Sequence, residues 1–304
     1  MNVLIAGGTG TIGVPLARAL VAAGHDVTAL SRSSARHAEL RALGASVTVA
    51  DALDRDALLA AVSNVRPTHV VHQLTALPKG GPRSARDLDA TNRLRDEGTR
   101  NLLHAAIAAG ARRFVTGSFA VLPQADRAAL PASADAAAAA VASMETQMLD
   151  ATARGSIEGV VLRYGLFYGL DVPSTTAMVD LVRRRRLPII RGDRGQLPFI
   201  HIDDAVSATV LALRHAQPGG VYDIVDDRPV SITEVVEAIA EYTGAVRPFS
   251  VPAWIPRLFA PYMARMTSVR LTPSNARAKR ELGWRPEYAS VREGMARMLQ
   301  PQAA

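Results

Sequence analysis

Along the first half of the chain, short apolar runs alternate with stretches of helical period. Asn2 to Ala6 is a compact apolar run ending in glycines, and from Ile12 to Ala23 apolar positions recur at helical spacing until Gly24 stops them. The unit repeats, with strands predicted at Asp26–Leu30 and Ser46–Ala50 and helices at Ser34–Leu43 and Asp54–Val62. His69–Leu74, Arg113–Thr116 and Gly159–Arg163 supply three more strands, and one long helical stretch, Ala85–Ala109, separates the fourth from the fifth. The strands are near-continuous Val, Leu and Ile rather than alternating apolar and polar, so both faces are covered and the sheet is parallel with right-handed crossovers. The alanine run Ala136–Ala140 reads as helix. Beyond Arg163 the rhythm breaks, Gly, Pro and Arg become denser, and a helix Ser231–Tyr242 opens with the capping box Ser231 to Glu234. The fold class is α/β, a doubly wound parallel sheet with a smaller C-terminal lobe.

Composition trims the functional options. With 304 residues, 48% hydrophobic and 21% charged, the chain has material for one large domain and a small one. There is no cysteine, which removes disulfides, thiolate metal sites and a cysteine nucleophile. No apolar run reaches the roughly 18 residues that span a bilayer, and the first residues begin a strand without a basic leader, so no membrane association and a cytoplasmic location are expected. The net charge of +7 is scattered apart from Arg183 to Arg186, a pattern that gives no reason to expect nucleic acid as a partner.

Between the first strand and first helix lies AGGTGTIG, with Gly7, Gly10 and Gly13 at three-residue spacing. One glycine permits the tight turn, a second lets backbone approach a pyrophosphate, and a third packs helix on strand. The helix N-terminus adds free amides and a positive dipole end. This is a Rossmann-type dinucleotide site in which Gly7, Thr9, Gly10, Thr11, Ile12 and Gly13 face the phosphates. The second strand ends in Ser31 and Arg32 where an NAD-selective site carries an acid, and Arg32 can pair with a 2′-phosphate, so NADP(H) is expected over NAD(H). Asp51 is placed either to meet the adenine amino group or to serve as a helix N-terminal carboxylate. Ala52, Leu74 and Thr75, at the ends of the third and fourth strands, complete the expected cofactor set.

These features resemble the extended short-chain dehydrogenase/reductase family, the NAD-dependent epimerases and dehydratases. The likeness runs through nearly the whole chain: ADALD around Asp51, GTRNLLHAA from Gly98, RRFVTGS ending at Ser118, VVLRYGLFYG from Val160, FIHIDDA from Phe199, YDIVDDRPVSITEV from Tyr222 and RELGWRPEYA from Arg280. The resemblance implies a dinucleotide-binding domain of residues 1–163 to which 196–226 return, and a substrate-binding lobe built from 164–195 and 227–304. It also implies a small-molecule substrate held between the two, and possible homodimers.

The family's chemistry rests on a serine or threonine after the fifth strand and a tyrosine and lysine four residues apart. Ser118 occupies the first place, where it is expected to hydrogen-bond the reacting oxygen or nitrogen. If Glu145 is the glutamate that follows the pair, the tyrosine and lysine positions hold Ala137 and Val141, and the segment contains neither residue type. A lysine helps a phenol near pKa 10 to act as a base, so its loss handicaps alcohol oxidation more than carbonyl or imine reduction. Tyr164, at the end of the sixth strand, is the substitute proton donor expected here, with Tyr168 read as structural. Leu166 stands where nucleotide-sugar enzymes of the family place an asparagine, which disfavours such substrates. Arg95 replaces another family asparagine, with Asn92 one turn earlier.

His201 and Asp203 alternate like metal ligands but lack a third partner, and His69 and His72 read as structural, so no metal is expected. The leading expectation is an NADP(H)-dependent oxidoreductase with atypical acid/base residues, a reductase of a carbonyl or imine in a small or medium organic metabolite. Two alternatives stay open: a lyase, isomerase or cyclase without net redox change, and a catalytically silent NADP(H) sensor.

Overall fold

In the computed structural model, which describes residues 1–78, 81–120, 132–259, 262, 264–265 and 268–299, seven strands make one parallel sheet. These are β1 (Asn2–Ala6), β2 (Asp26–Ser31), β3 (Ser46–Val49), β4 (His69–His72), β5 (Arg113–Phe119), β6 (Glu158–Tyr164) and, after three short strands, β10 (Val221–Ile224). Their spatial order is β3-β2-β1-β4-β5-β6-β10. The order reverses between β1 and β4, and at that switch point the carboxyl ends of an α/β sheet leave room for a ligand. Arg113 ties the opposite end together, pairing with Glu158 at 2.7 Å and donating to the carbonyls of Ala212 and Leu213.

Helices α1 (Gly13–Ala22) and α8 (Ile202–His215) cover one face, where Val3, Ile5, Val71, Val115 and Leu162 are buried. Helices α3 (Arg55–Val65), α5 (Thr99–Ala108) and α6 (Ala132–Ala153) cover the other, over Leu4, Leu30, Val70, Phe114 and Val161. Consecutive strand residues thus serve opposite layers, which explains their continuous hydrophobicity.

Two predicted helices differ. The second begins at His37 rather than Ser34, because Arg36 takes a left-handed conformation (φ 62°). The stretch Ala85–Ala109 is not one helix but a 3-10 turn, a short helix α4 (Asp89–Arg93), a π turn at Leu94–Gly98 and then α5. At about 100° per residue, residues seven apart share a helix face, and the extra residue of a π turn extends this to eight. Thr91 and Thr99 are therefore both turned inward, Thr91 accepting from the Ala76 amide and Thr99 pairing with His72.

A third apolar cluster lies beyond β6. Tyr168 and Phe199, from the parallel pair β7 (Leu166–Tyr168) and β9 (Phe199–His201), pack with α7 (Pro173–Arg183), α9 (Ile232–Tyr242) and the helix Val291–Leu299. The block around Trp284 is pinned to α8: the indole donates to the Asp204 carbonyl and Ser207, and the Asp204 carboxylate accepts the amides of Glu287 and Tyr288 at 2.7 and 3.1 Å.

Candidate functional site

The glycine turn sits at the sheet's switch point. Gly7 has φ 89°, a left-handed conformation that disfavours side chains, and a Cβ there would lie 2.6 Å from the Gln73 carbonyl oxygen. Gly13 has no room either, since a Cβ would stand 2.3 Å from the Gly7 oxygen, so α1 starts hard against the turn. At Gly10 a Cβ would touch only the Gly7 oxygen, at 3.1 Å, and its outer side is open. Among the described residues the amides of Thr11, Ile12 and Gly13 have no protein acceptor, and Ile12 caps α1 without a side-chain bond. An open backbone with unfilled donors at a helix N-terminus fits a pyrophosphate.

Around the turn stand the remaining cofactor candidates. Ser31 is buried and fixed to the Ser33 carbonyl and His37. Arg32 and Asp51 approach to 3.8 Å with both side chains substantially exposed, a weak contact that leaves the guanidinium free to exchange partners. Asp51 also accepts the Leu53 amide at 3.0 Å. Ala52 is buried, its carbonyl held by Asn101, and Leu74 and Thr75 follow β4, with the Leu74 amide on His72 Nδ1. Arg36, which sequence reasoning missed, pairs with Glu39 through two bonds and reaches the Thr9 carbonyl at 3.5 Å, placing a second guanidinium over the turn. Its left-handed backbone puts it there, and residue type gives no signal for that.

Ser118 and Tyr164 are not brought together. Ser118 is paired with Arg163 and Phe119 with Tyr164 across β5 and β6, so Ser118 and Tyr164 point to opposite faces. The Ser118 hydroxyl donates to Glu145 at 2.6 Å, and Arg163 grips both oxygens of that buried carboxylate at 2.9 and 2.6 Å. Tyr164 is 3% exposed and burial pushes its pKa up to about 12. The Thr209 hydroxyl donates to the Ala205 carbonyl, so the proton between Tyr164 and Thr209 belongs to Tyr164. Gln73 in turn donates to the phenol oxygen at 3.1 Å. The single proton that each of Ser118 and Tyr164 was expected to offer a substrate is therefore committed inside the protein. Gln73, another residue the sequence did not single out, is the side chain Tyr164 orients; it overlies Gly117, where a Cβ would meet its Oε1 at 2.3 Å.

Residues 3–225 match the NAD dependent epimerase/dehydratase family. The chain belongs to that family. It is 39% identical, over 98% of its length and all of the relative's, to a 3-diazoavenalumate denitrifying reductase of a Streptomyces species. It is 27% identical, over both full lengths, to the 2-alkyl-3-oxoalkanoate reductase of Stenotrophomonas maltophilia. Among solved structures it resembles the Thermus thermophilus UDP-glucose 4-epimerase in complex with NAD, at TM-score 0.78 and 25% identity over 98% of this chain and 97% of that one.

This epimerase/dehydratase family member is an NAD(P)-dependent oxidoreductase of the extended short-chain type. In α6, Ala137 and Val141, the positions expected for the family tyrosine and lysine if Glu145 is the family glutamate, are buried. His72 is fully enclosed, and burial, aided by Arg95, lowers its pKa to about 4. Because the Leu74 amide donates to Nδ1, the ring is neutral and Nε2 donates to Thr99. His201 Nδ1 accepts the Asp203 amide and its ring lies between Tyr168 and Tyr288. Among the described residues no group of three His, Asp or Glu side chains is arranged for a metal, and no described helix is long and apolar enough to cross a membrane.

Proposed function

We propose that this protein is an NADP(H)-dependent reductase of a carbonyl or imine in a small or medium organic metabolite, working without the family's tyrosine and lysine. The observation that carries the cofactor choice is the C-terminal end of β2, where Ser31 is followed by Arg32 and Arg36 near the glycine turn and no acid stands among residues 28–36. An acid there would repel a 2′-phosphate, whereas the exposed Arg32 guanidinium attracts it. Asp51, the carboxylate near Arg32, contacts it only at 3.8 Å. The amides of Thr11, Ile12 and Gly13 would hold the pyrophosphate, with Ala52, Leu74 and Thr75 along the rest of the nucleotide. The bound nucleotide would supply the hydride.

The chain's own groups then have positioning roles. Tyr164 fixes Gln73 beside the glycine turn, and the Ser118–Glu145–Arg163 cluster locks α6 to the sheet. Residues 164–195 and 227–304 would form the substrate-binding lobe. With the protons of Ser118 and Tyr164 committed inside the protein, acceptors that need little acid assistance are favoured. One observation favours a second reading on that ground, the 39% identity to an enzyme named for denitrifying reduction of a diazo compound. Replacement of a diazonium nitrogen pair by hydride forms one C–H bond and releases dinitrogen, with no proton delivered to oxygen or nitrogen. The substrates named for both reductase relatives are carboxylates.

Titration with NADPH and NADH, followed by loss of NADPH absorbance over a panel of ketones, aldehydes, imines and diazo compounds, tests the proposal. Preferential NADPH binding with consumption on at least one class is expected. Product without NADPH consumption, or tight binding without any turnover, would replace it with the isomerase-type or the sensor reading. Tyr164→Phe should keep kcat within severalfold if Tyr164 only positions Gln73; loss of all turnover with an intact fold would return it to the chemistry.

A further inference from the structure

The segment Asp89–Arg100 carries three arginines in different circumstances. Arg93 binds both oxygens of Glu97 at 3.1 and 2.8 Å, and Arg100 binds Asp96 at 2.9 Å, each from an exposed side chain. Arg95, on the π turn, faces inward. Among the described residues its one hydrogen bond runs at 3.3 Å to the neutral carbonyl of Asn92 and uses one of its five N–H donors. Among the described residues no carboxylate comes within 4.0 Å of it.

The acids nearest in sequence are engaged elsewhere. Asp87 accepts the amides of Arg83 and Ser84, Asp96 holds Ser143, Gln147 and Arg100, and Glu97 holds Arg93. Around Arg95 stand groups that offer no negative charge. His72, at the end of β4, is neutral, and Tyr262 of the C-terminal segment is kept protonated by burial, although Arg95 pulls the other way. Arg95 is partly buried, and this burial lowers its pKa to about 10, as for a cation partly withdrawn from water with no acid beside it. Such a charge is costly unless an anion completes it.

The location is at the working edge of the sheet. Arg95 acts electrostatically on His72, two residues before the Leu74 amide and directly before Gln73, whose carbonyl abuts the glycine turn. A planar guanidinium with free N–H pairs matches a carboxylate through two parallel bonds. We propose that Arg95, helped by the Tyr262 hydroxyl, anchors a carboxylate group of the substrate, which makes this a site for organic acids. The assignment rests on the reductase reading for its meaning but makes a prediction about binding alone.

Isothermal titration of the full chain, with and without saturating NADPH, tests it using trans-cinnamate and hexanoate against the neutral cinnamamide and hexanamide. The acids should bind more tightly than their amides by on the order of ten- to a hundredfold, the worth of a hydrogen-bonded charge pair. Arg95→Gln should abolish that preference while NADPH affinity stays unchanged and the urea midpoint does not fall, and Arg95→Lys should retain part of it. Equal affinity for acid and amide, no binding of either acid, or an undiminished preference in Arg95→Gln would overturn the assignment. If Arg95→Gln fails to fold, the Arg95→Lys comparison decides in the same terms. Turnover is not read, so failure of the reductase proposal in the absorbance assay leaves this result standing, and the reverse.

Discussion

Replacing Gly13 or Gly10 by alanine separates packing from ligand binding within one turn. A Cβ at Gly13 would lie 2.3 Å from the Gly7 oxygen and 2.7 Å from the carbonyl carbon of Gly8, well inside the 3.0 Å that side-chain carbons tolerate. The turn cannot retreat, because a Cβ-sized displacement at Gly7 runs into the Gln73 carbonyl. Overpacking of this kind costs about 1–3 kcal/mol, and the helix-propensity gain of alanine recovers at most about 1 kcal/mol of it. Gly13→Ala should therefore lower stability by about 1–2 kcal/mol. It should also weaken NADPH binding by roughly tenfold or more, since the amides that receive the pyrophosphate move with the turn. Gly10→Ala meets only the Gly7 oxygen at 3.1 Å, so stability should change by less than about 1 kcal/mol. Its methyl, however, stands on the open side that a phosphate must approach, and affinity should fall as far as in Gly13→Ala. Urea unfolding at constant m and calorimetric titration with NADPH read the two quantities separately. A Gly10→Ala protein that binds NADPH as tightly as the parent would refute the assignment of this turn to the pyrophosphate.

Three further outcomes follow from the geometry. Arg32→Ala should reduce NADPH affinity by roughly tenfold and leave NADH affinity unchanged, measured by parallel titrations; equal losses for both nucleotides would remove the 2′-phosphate role. Glu145→Ala should cost about 3 kcal/mol in urea unfolding, because Arg163 and Ser118 lose a buried acceptor, whereas Glu145→Leu combined with Arg163→Met should recover much of that loss. His72 is held neutral in the fold with its pKa lowered to about 4 from 6.5, so the unfolded chain binds the extra proton as pH falls through that window. The stability it contributes is intact above the unfolded value and should decline by about 2 kcal/mol between pH 7 and 5, and His72→Gln should flatten that part of the urea-midpoint profile.

The strand, glycine turn and helix start were legible because their determinants are local. A strand, three spaced glycines and a helix start lie within a dozen residues, and the steric reasons for Gly7 and Gly13 are contacts inside that unit or with the adjoining strand. Arg36 escaped notice because its approach to Thr9 depends on one left-handed backbone angle in a segment that reads as helix. Arg95 was visible only as a departure from a family pattern, since nothing in DATNRLRDEGTR says which arginine is left without an acid.

By itself, the sequence determined the α/β class, the strand and helix order and the dinucleotide turn, because periodicity and glycine sterics act over neighbouring residues. Tertiary structure alone decided the direction of chemistry-bearing side chains. Arg163 and Tyr164 are adjacent in sequence, yet one turns to α6 and Glu145 and the other to α8 and Thr209. The π turn between Thr91 and Thr99 likewise rotates its flanking residues by an amount that residue type does not encode. Whether a hydroxyl has a proton to give depends on partners tens of residues away, and for Ser118 and Tyr164 those partners, Glu145 and Thr209, are set by packing of the sheet against its two helix layers.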